Sequence, residues 1–429
     1  MAQVADDARN QQDGRVPVLI SLCLCAVIAY VQRGAISVPA QEISQDLRFA
    51  NLAQDMGWIQ SGWYIGYGLL QLPSGWVADR IGSRAALAIF MSLWSAATLV
   101  CGFASGFYSL LILWTIMGAA QAGAFPCAAK AIGQIFPESQ RARATGLLAS
   151  GMAIGGALTP YLTSTLLGSF DSWAQSSEIE RWRLLFAAYA LPGFLWTAIF
   201  LSAIPASMFP AGPQPVQMKS KVDWTAMLRS GPLALLCAQQ FFRAAGMVFF
   251  LTWFPTFLQK SRGVTLDQSG LLTTIAGVGG VIGSMSGGFF SDWLFKRTGS
   301  ARLSRQGIAV AGMAACSALM VASYFVKDVN GSIALIAVGV FCATFGGISG
   351  YTVAISFGGR HVATVFSTMN MCGNFGAALF PATAGWLVTQ TGNWNVILFF
   401  FAGIMAVDAV CWALLNPKGT LFDEEGQNS

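Results

Sequence analysis

Runs of about twenty apolar residues, the length a helix needs to cross the hydrocarbon of a bilayer, recur from near residue 16 to near residue 415. In lipid, each segment must satisfy its own backbone N–H and C=O groups, which leaves bundled helices as the solution for runs of this length. Twelve spans are expected, at 16–38, 56–78, 84–104, 108–132, 141–168, 183–203, 231–258, 266–291, 305–326, 331–356, 361–389 and 394–415. With 55% of residues hydrophobic and 10% charged, no water-soluble class fits.

The placement of charge orients the spans. With the N-terminus inside, fifteen of the 24 Lys and Arg fall in cytoplasmic segments, six outside and three within helices. The positive-inside rule then puts both termini in the cytoplasm, and a bacterial inner membrane is the expected location. The net charge of +5 thus follows topology and does not point to nucleic acid. All nine cysteines fall within spans, in no CxxC or metal-ligand spacing, so packing thiols are expected, with no disulfide, metal or cofactor. The first apolar run is too long for a typical signal-peptide core and should remain as the first helix.

A Pro-rich stretch at 204–230, carrying Lys219, Lys221 and Arg229, reads as a cytoplasmic linker between bundles at 1–203 and 231–429. The halves echo each other. GWVADRIGSR (75–84) after the second span matches GFFSDWLFKR (288–297) after the eighth, and Arg141-x-x-Ala144-Thr145 leading to GALTP matches Arg360-x-x-Ala363-Thr364 leading to AALFP. The expected fold class is therefore an all-α membrane protein, twelve transmembrane helices in two pseudo-symmetric six-helix bundles, a plan that places substrate between repeats near the midplane.

Arg33 interrupts the first span, and Arg243 lies in the seventh, its equivalent in the second half. An arginine at the centre of a spanning helix costs about 2.5–3.5 kcal/mol on insertion scales, so such residues normally face a cavity and a partner. Eighteen of the nineteen Asp and Glu can be assigned to termini, loops or helix ends, and the exception is Asp408 in the twelfth span. Two permanent cations with no acid beside them would make a strong anion site, bidentate toward a carboxylate. The alternative is an arginine at a cavity mouth or packed on a helix C-terminus.

Neutral groups share these faces. Tyr30 lies one turn before Arg33, and Tyr67 one turn before Gln71. They either meet a hydroxylated substrate or pack with the hydroxyl on backbone or water. Asn370 and Asn374 form an i, i+4 pair beside Gly373 and Gly376, and either line a cavity or bond across helices. Lys130 is read as snorkelling, Asp408 as an interhelical partner unless it is functional, and His361 as a surface residue. Asp79, Arg80, Arg84, Arg141, Arg143, Asp292 and Arg360 belong to the repeated loop signals, where acids facing arginines or helix N-termini can gate the cytoplasmic ends. Gly151, Gly155 and Gly156 allow close approach in the fifth span.

Five runs carry a family resemblance: YVQR (30–33), YGLLQLPSGWVADRIGSR (67–84), GAAQAGAFP (118–126), FPESQRARATG (136–146) and FFLTWFPTFL (249–258). Together with the twelve spans they resemble the major facilitator superfamily over nearly the whole chain. Within it they resemble the anion:cation symporters, which include sugar-acid permeases, sialin and the vesicular glutamate transporters. The resemblance implies alternating-access transport of an organic anion, often proton-driven, and places an arginine like Arg243 before Pro255. The chain departs from it at two positions. Where the family has Asp-Arg in the first helix this chain has Gln32-Arg33, and where the fourth helix often carries glutamate it has Gln121. An amide can bond substrate but cannot exchange a proton near neutral pH.

The expected function is secondary transport of a small organic anion, a carboxylate of the sugar-acid type, by a monomer in the lipid bilayer. Arg33 and Arg243 would take the charge, and Tyr30, Tyr67, Gln32, Gln121, Asn370 and Asn374 would line the site. The coupling ion is left open. A multidrug or metabolite exporter of the same fold and a non-transporting membrane sensor are the alternatives. No nucleophile–base set, metal spacing or phosphate loop indicates an enzyme.

Overall fold

The computed structural model describes residues 2–177, 179–209, 229–358 and 362–416, helical apart from short connections. Most of the expected linker, together with Arg360 and His361, lies outside the described residues. The chain divides into two compact units, Met1–Val216 with Thr265–Leu271, and Gln217–Val264 with Leu272–Ser429.

The first unit contains α1 (Ala2–Gly34), a short α2 (Ala40–Asp46), α3 (Leu52–Ile81), α4 (Ser83–Cys101), α5 (Phe107–Gln121), α6 (Ala124–Ile135), α7 (Glu138–Ser169), a short α8 (Asp171–Ser177) and α9 (Arg181–Ala203). After it come α10 (Gly231–Thr252), α11 (Phe254–Arg262), α12 (Leu266–Thr298), a π-helical turn (Arg302–Gly307), α13 (Ile308–Phe325), α14 (Val329–Gly347), α15 (Ser349–Gly358), α16 (Val362–Thr391) and α17 (Val396–Leu414).

Nine of these helices or bent helix pairs are long and apolar enough to cross a membrane among the described residues. The other three long helices, α3, α7 and α16, run 30, 32 and 30 residues. Each is long enough to cross the same hydrocarbon and carries many Gly, Ser, Thr, Asn and Gln residues, those of helix contacts and polar sites. Together these give the twelve spans of the expected fold class.

The structure corrects several boundaries. The first helix ends at Gly34, not 38, where the Ser37 hydroxyl donates to the Gly34 carbonyl at 2.9 Å and Pro39 precedes α2. The fourth, seventh and tenth spans are each broken in two. In the seventh the break at Trp253 falls just before Pro255, which lacks an N–H and crowds the preceding turn.

Glycines set how closely the helices approach. A Cβ on Gly118 of α5 would lie 2.2 Å from the Trp63 carbonyl oxygen of α3, and one on Gly155 of α7 would lie 2.7 Å from that of Val27 on α1. The second unit repeats both contacts, Gly287 of α12 at 2.2 Å from the Phe345 oxygen of α14 and Gly376 of α16 at 2.2 Å from that of Phe241 on α10.

A polar cap covers one end of the first unit. Arg183 at the start of α9 pairs with Asp46 at 2.7 Å and donates to the Gly102 and Ala104 carbonyls, while Arg181 pairs with Glu42 and Asp171. Burial pushes the Glu42 carboxyl above its ordinary range, although the neighbouring Arg181 pulls it down. The ionised form is thus disfavoured in the folded state, and this contribution to stability is present at acid pH and fades as pH rises through the carboxylate range. Glu42→Gln should flatten that part of the stability–pH curve, as thermal unfolding across pH would show.

Candidate functional site

Arg33 is enclosed by aromatic rings of the first unit. Its guanidinium carbon lies 4.1 Å from the Trp63 ring centre, 4.6 Å from that of Tyr64 and 5.3 Å from that of Tyr30. Tyr30 is supplied by the preceding turn of α1 and the other two by adjacent positions of α3. Trp63 is held firmly, its indole N–H on the Met117 sulfur at 3.0 Å and Tyr67 stacked on it at 5.0 Å. Among the described residues no carboxylate lies within 4.0 Å of Arg33, and its Nε is buried without a hydrogen-bond partner. Ring faces stabilise a cation by about 0.5–2 kcal/mol each yet accept no in-plane hydrogen bonds. The guanidinium shares a hydrogen bond with the Tyr64 side chain, so the hydrogen-bonding capacity left unused among its described contacts is the buried Nε–H.

Tyr30 and Tyr67 belong to this cluster, and Trp63 and Tyr64 were not anticipated as part of it. The signal lay in W-Y-x-x-Y at 63–67, which puts three rings along one side of a helix. The two glutamines sit elsewhere. Gln32 is fully buried and donates to the Tyr189 carbonyl at 2.6 Å and the Ser95 hydroxyl at 3.4 Å, tying α1 to α9 and α4. Gln121 donates to the Ala29 carbonyl at 2.8 Å, which in a regular helix also accepts from the Arg33 N–H. Their observed bonds hold α1 in place, so any effect on Arg33 from these bonds is through its backbone.

Arg243 of α10 has a different shell in the second unit. It donates to Gln240 Oε1 at 2.7 Å and to the Tyr351 hydroxyl at 3.3 Å, and its Nε is likewise buried and unpartnered. Tyr351, from α15, stacks on Phe366 of α16. Asn370 and Asn374 are half-buried on α16, and Gly373 between them gives Gln240 its room, since a Cβ there would lie 3.0 Å from the amide. Gln240 and Tyr351 are further residues that sequence reasoning missed, Gln240 despite lying one turn before Arg243. Asp408 of α17 is fully buried, and no interhelical hydrogen bond reaches its carboxyl oxygens among the described residues.

Residues 22–356 match the family model of the Major Facilitator Superfamily. The chain belongs to that superfamily. As a member of the Major Facilitator Superfamily it is a multi-pass membrane transporter, not an enzyme. It is 28% identical to the hexuronate transporter of Bacillus subtilis, covering 92% of this chain and 93% of the relative. It is 27% identical to the D-galactonate transporter of Escherichia coli, covering 94% and 95% respectively. In fold it is similar to the crystal structure of a bacterial homolog of the human lysosomal transporter Spinster, with TM-score 0.75 at 19% identity over 94% of this chain and 97% of the other.

Two of the expected gating residues, Arg84 and Arg141, cap helix ends in this superfamily member. Arg84 donates to the Leu201 and Ile204 carbonyls at 2.6 and 2.9 Å, closing the end of α9. Arg141 does the same for α6 through Gly133 at 2.8 Å and Phe136 at 3.0 Å, and Lys130 reaches the Ala78 carbonyl of α3 at 2.8 Å. Cations satisfy the free carbonyls at helix ends and oppose the helix dipole. Arg80 is exposed, and Asp292 faces Arg305 at 3.6 Å. The side chains of Asp79 and Arg143 lie outside the described residues. Arg141→Ala should lower the thermal stability of the purified protein by about 1 kcal/mol, the size of a lost cap, with ligand affinity unchanged.

Proposed function

We propose that the protein moves a small organic anion, a carboxylate of the sugar-acid type, across the bacterial inner membrane by alternating access, with both termini cytoplasmic. Arg33 and Arg243 bind the anion, and Tyr30, Tyr67, Asn370 and Asn374 are the nearby groups suited to a hydroxylated substrate. Gln32 and Gln121 hold α1 in register, so that proton coupling through the first and fourth helices has no carrier. The observation that carries the reading is Arg33, a half-buried permanent cation set among three rings, with its Nε buried and unpartnered and no described carboxylate beside it. The named substrates of the two relatives, a hexuronate and D-galactonate, are acids of the same chemistry.

A thermal-shift screen of sugar acids, dicarboxylates, amino acids and aromatic acids tests it. A site ligand at about 100 times its Kd stabilises by roughly 2.7 kcal/mol, and sugar acids should give the largest shifts. A screen in which lipophilic cations shift the protein and no anion does would favour an exporter instead.

A further inference from the structure

The second unit brings an acid to the level of Arg243. Helices α10 and α17 pack antiparallel, with the rings of Phe249 and Phe401 5.5 Å apart and a Cβ on Gly246 falling 2.2 Å from Met405 Cε. Moving one turn toward the start of α10 moves one turn toward the end of α17, a register that carries Arg243 to Asp408. Asp408 is completely buried, and neither carboxyl oxygen has a hydrogen-bond partner among the described residues. Arg243 is the cation that this register places at its level, yet no ion pair forms between them within 4.0 Å. The guanidinium is turned instead onto Gln240 and Tyr351.

The other elements packed against α17 offer no second cation at this level. Helix α13 supplies Cys316, with Cys342 of α14 beside it, and Tyr324 stacked on Phe399. Helix α16 has no charged residue and one thiol, Cys372, while α10 adds Cys237 and α17 itself Cys411. The π-helical turn carries Arg302 and Arg305, and Arg305 faces Asp292. An ionised carboxylate with no partner in such surroundings is strongly disfavoured. An ion pair between the two would require the guanidinium to turn from Gln240 and Tyr351. The equivalent contact in the first unit, between α1 and α9, is the neutral bond from Gln32 to the Tyr189 carbonyl.

We propose that Asp408 is the proton-exchanging group of this transporter: protonated, it leaves Arg243 free for the substrate anion, and ionised, it takes Arg243 as its partner. The proposal rests on the reading of Arg243 as an anion-binding residue. One proton is taken up from water onto an Asp408 oxygen as one anion binds, and is returned to water when the anion leaves and the guanidinium swings back. The acid chemistry missing from the first and fourth helices is thereby supplied from the twelfth.

Infrared spectroscopy of the empty protein in lipid nanodiscs, titrated from acid to alkaline pH, tests the pair without a substrate. A protonated-carboxyl band is expected that is absent from Asp408→Asn and vanishes as pH rises, and that persists in Arg243→Gln at pH values where the wild type has lost it. In proteoliposomes, Asp408→Asn should keep D-galactonate counterflow but lose proton-driven accumulation, and Asp408→Glu should retain both. A band that never titrates, a titration indifferent to Arg243→Gln, or undiminished proton-driven accumulation by Asp408→Asn would each overturn the proposal. A band that titrates with Arg243 in a protein binding no sugar acid supports the pair and counts against the anion reading instead.

Discussion

Arg33→Lys is expected to abolish anion binding and uptake while the protein stays folded. The substitution keeps the positive charge, so a site that needed charge alone would tolerate it. The geometry around Arg33 asks for more. The guanidinium carbon lies 4.1 and 4.6 Å from the centres of the Trp63 and Tyr64 rings, contacts that suit a flat delocalised cation. Its unpartnered Nε can join a second N–H in a two-pronged bond to a carboxylate. An ammonium offers neither. Losing one charge-assisted hydrogen bond of about 1.5–3 kcal/mol together with part of the ring stabilisation corresponds to roughly a hundredfold or greater loss of affinity. Titration of a sugar acid against both proteins measures the loss, and unfolding of the empty proteins is the control. Uptake by Arg33→Lys at the wild-type level would remove Arg33 from the site.

The second large effect is expected from Gly118→Ala, a change that adds a single methyl group. That carbon would lie 2.2 Å from the Trp63 carbonyl oxygen and 2.8 Å from its carbonyl carbon, on backbone that cannot rotate aside. Helices α3 and α5 must separate, which costs about 1–3 kcal/mol as overpacking and moves the ring on which Arg33 rests. Gly133→Ala is the matched control, because a Cβ there meets nothing within 4 Å. In that open helical position alanine should stabilise by up to about 1 kcal/mol through helix propensity. Opposite signs of the two shifts in thermal unfolding, with weakened anion binding in Gly118→Ala alone, are the expected result. Equal shifts would show that the α3–α5 contact is looser than its geometry states.

How much of this was legible beforehand differs by type of information. The apolar runs made twelve helices nearly unavoidable, since lipid offers the backbone no other donors or acceptors. The breaks were harder to see. Pro255 marks one, but the breaks at Ala122 and Ile348 come at small-residue stretches that read as continuous helix. Arg33 and Arg243 stood out because a permanent charge in a hydrophobic run has few explanations. Their shells were only half visible. Tyr30 shares a helix with Arg33 and could be placed by periodicity, whereas Trp63 and Tyr64 arrive from another helix whose register against α1 no local pattern specifies.

Gln32 and Gln121 divide the two kinds of knowledge most clearly. The chain alone determined that both are amides, so that neither can carry a proton. Which way each points was decided by the packing of α1 against α9 and α5, where their side chains find backbone carbonyls and stay. The same holds for Asp408. Its isolation from other acids and bases along the chain was plain, but its level opposite Arg243 follows from the antiparallel register of α10 and α17. The physical reason is that chemical capacity belongs to a residue, whereas a partner belongs to a distance. For residues 165 positions apart in the chain, only the packed fold sets that distance.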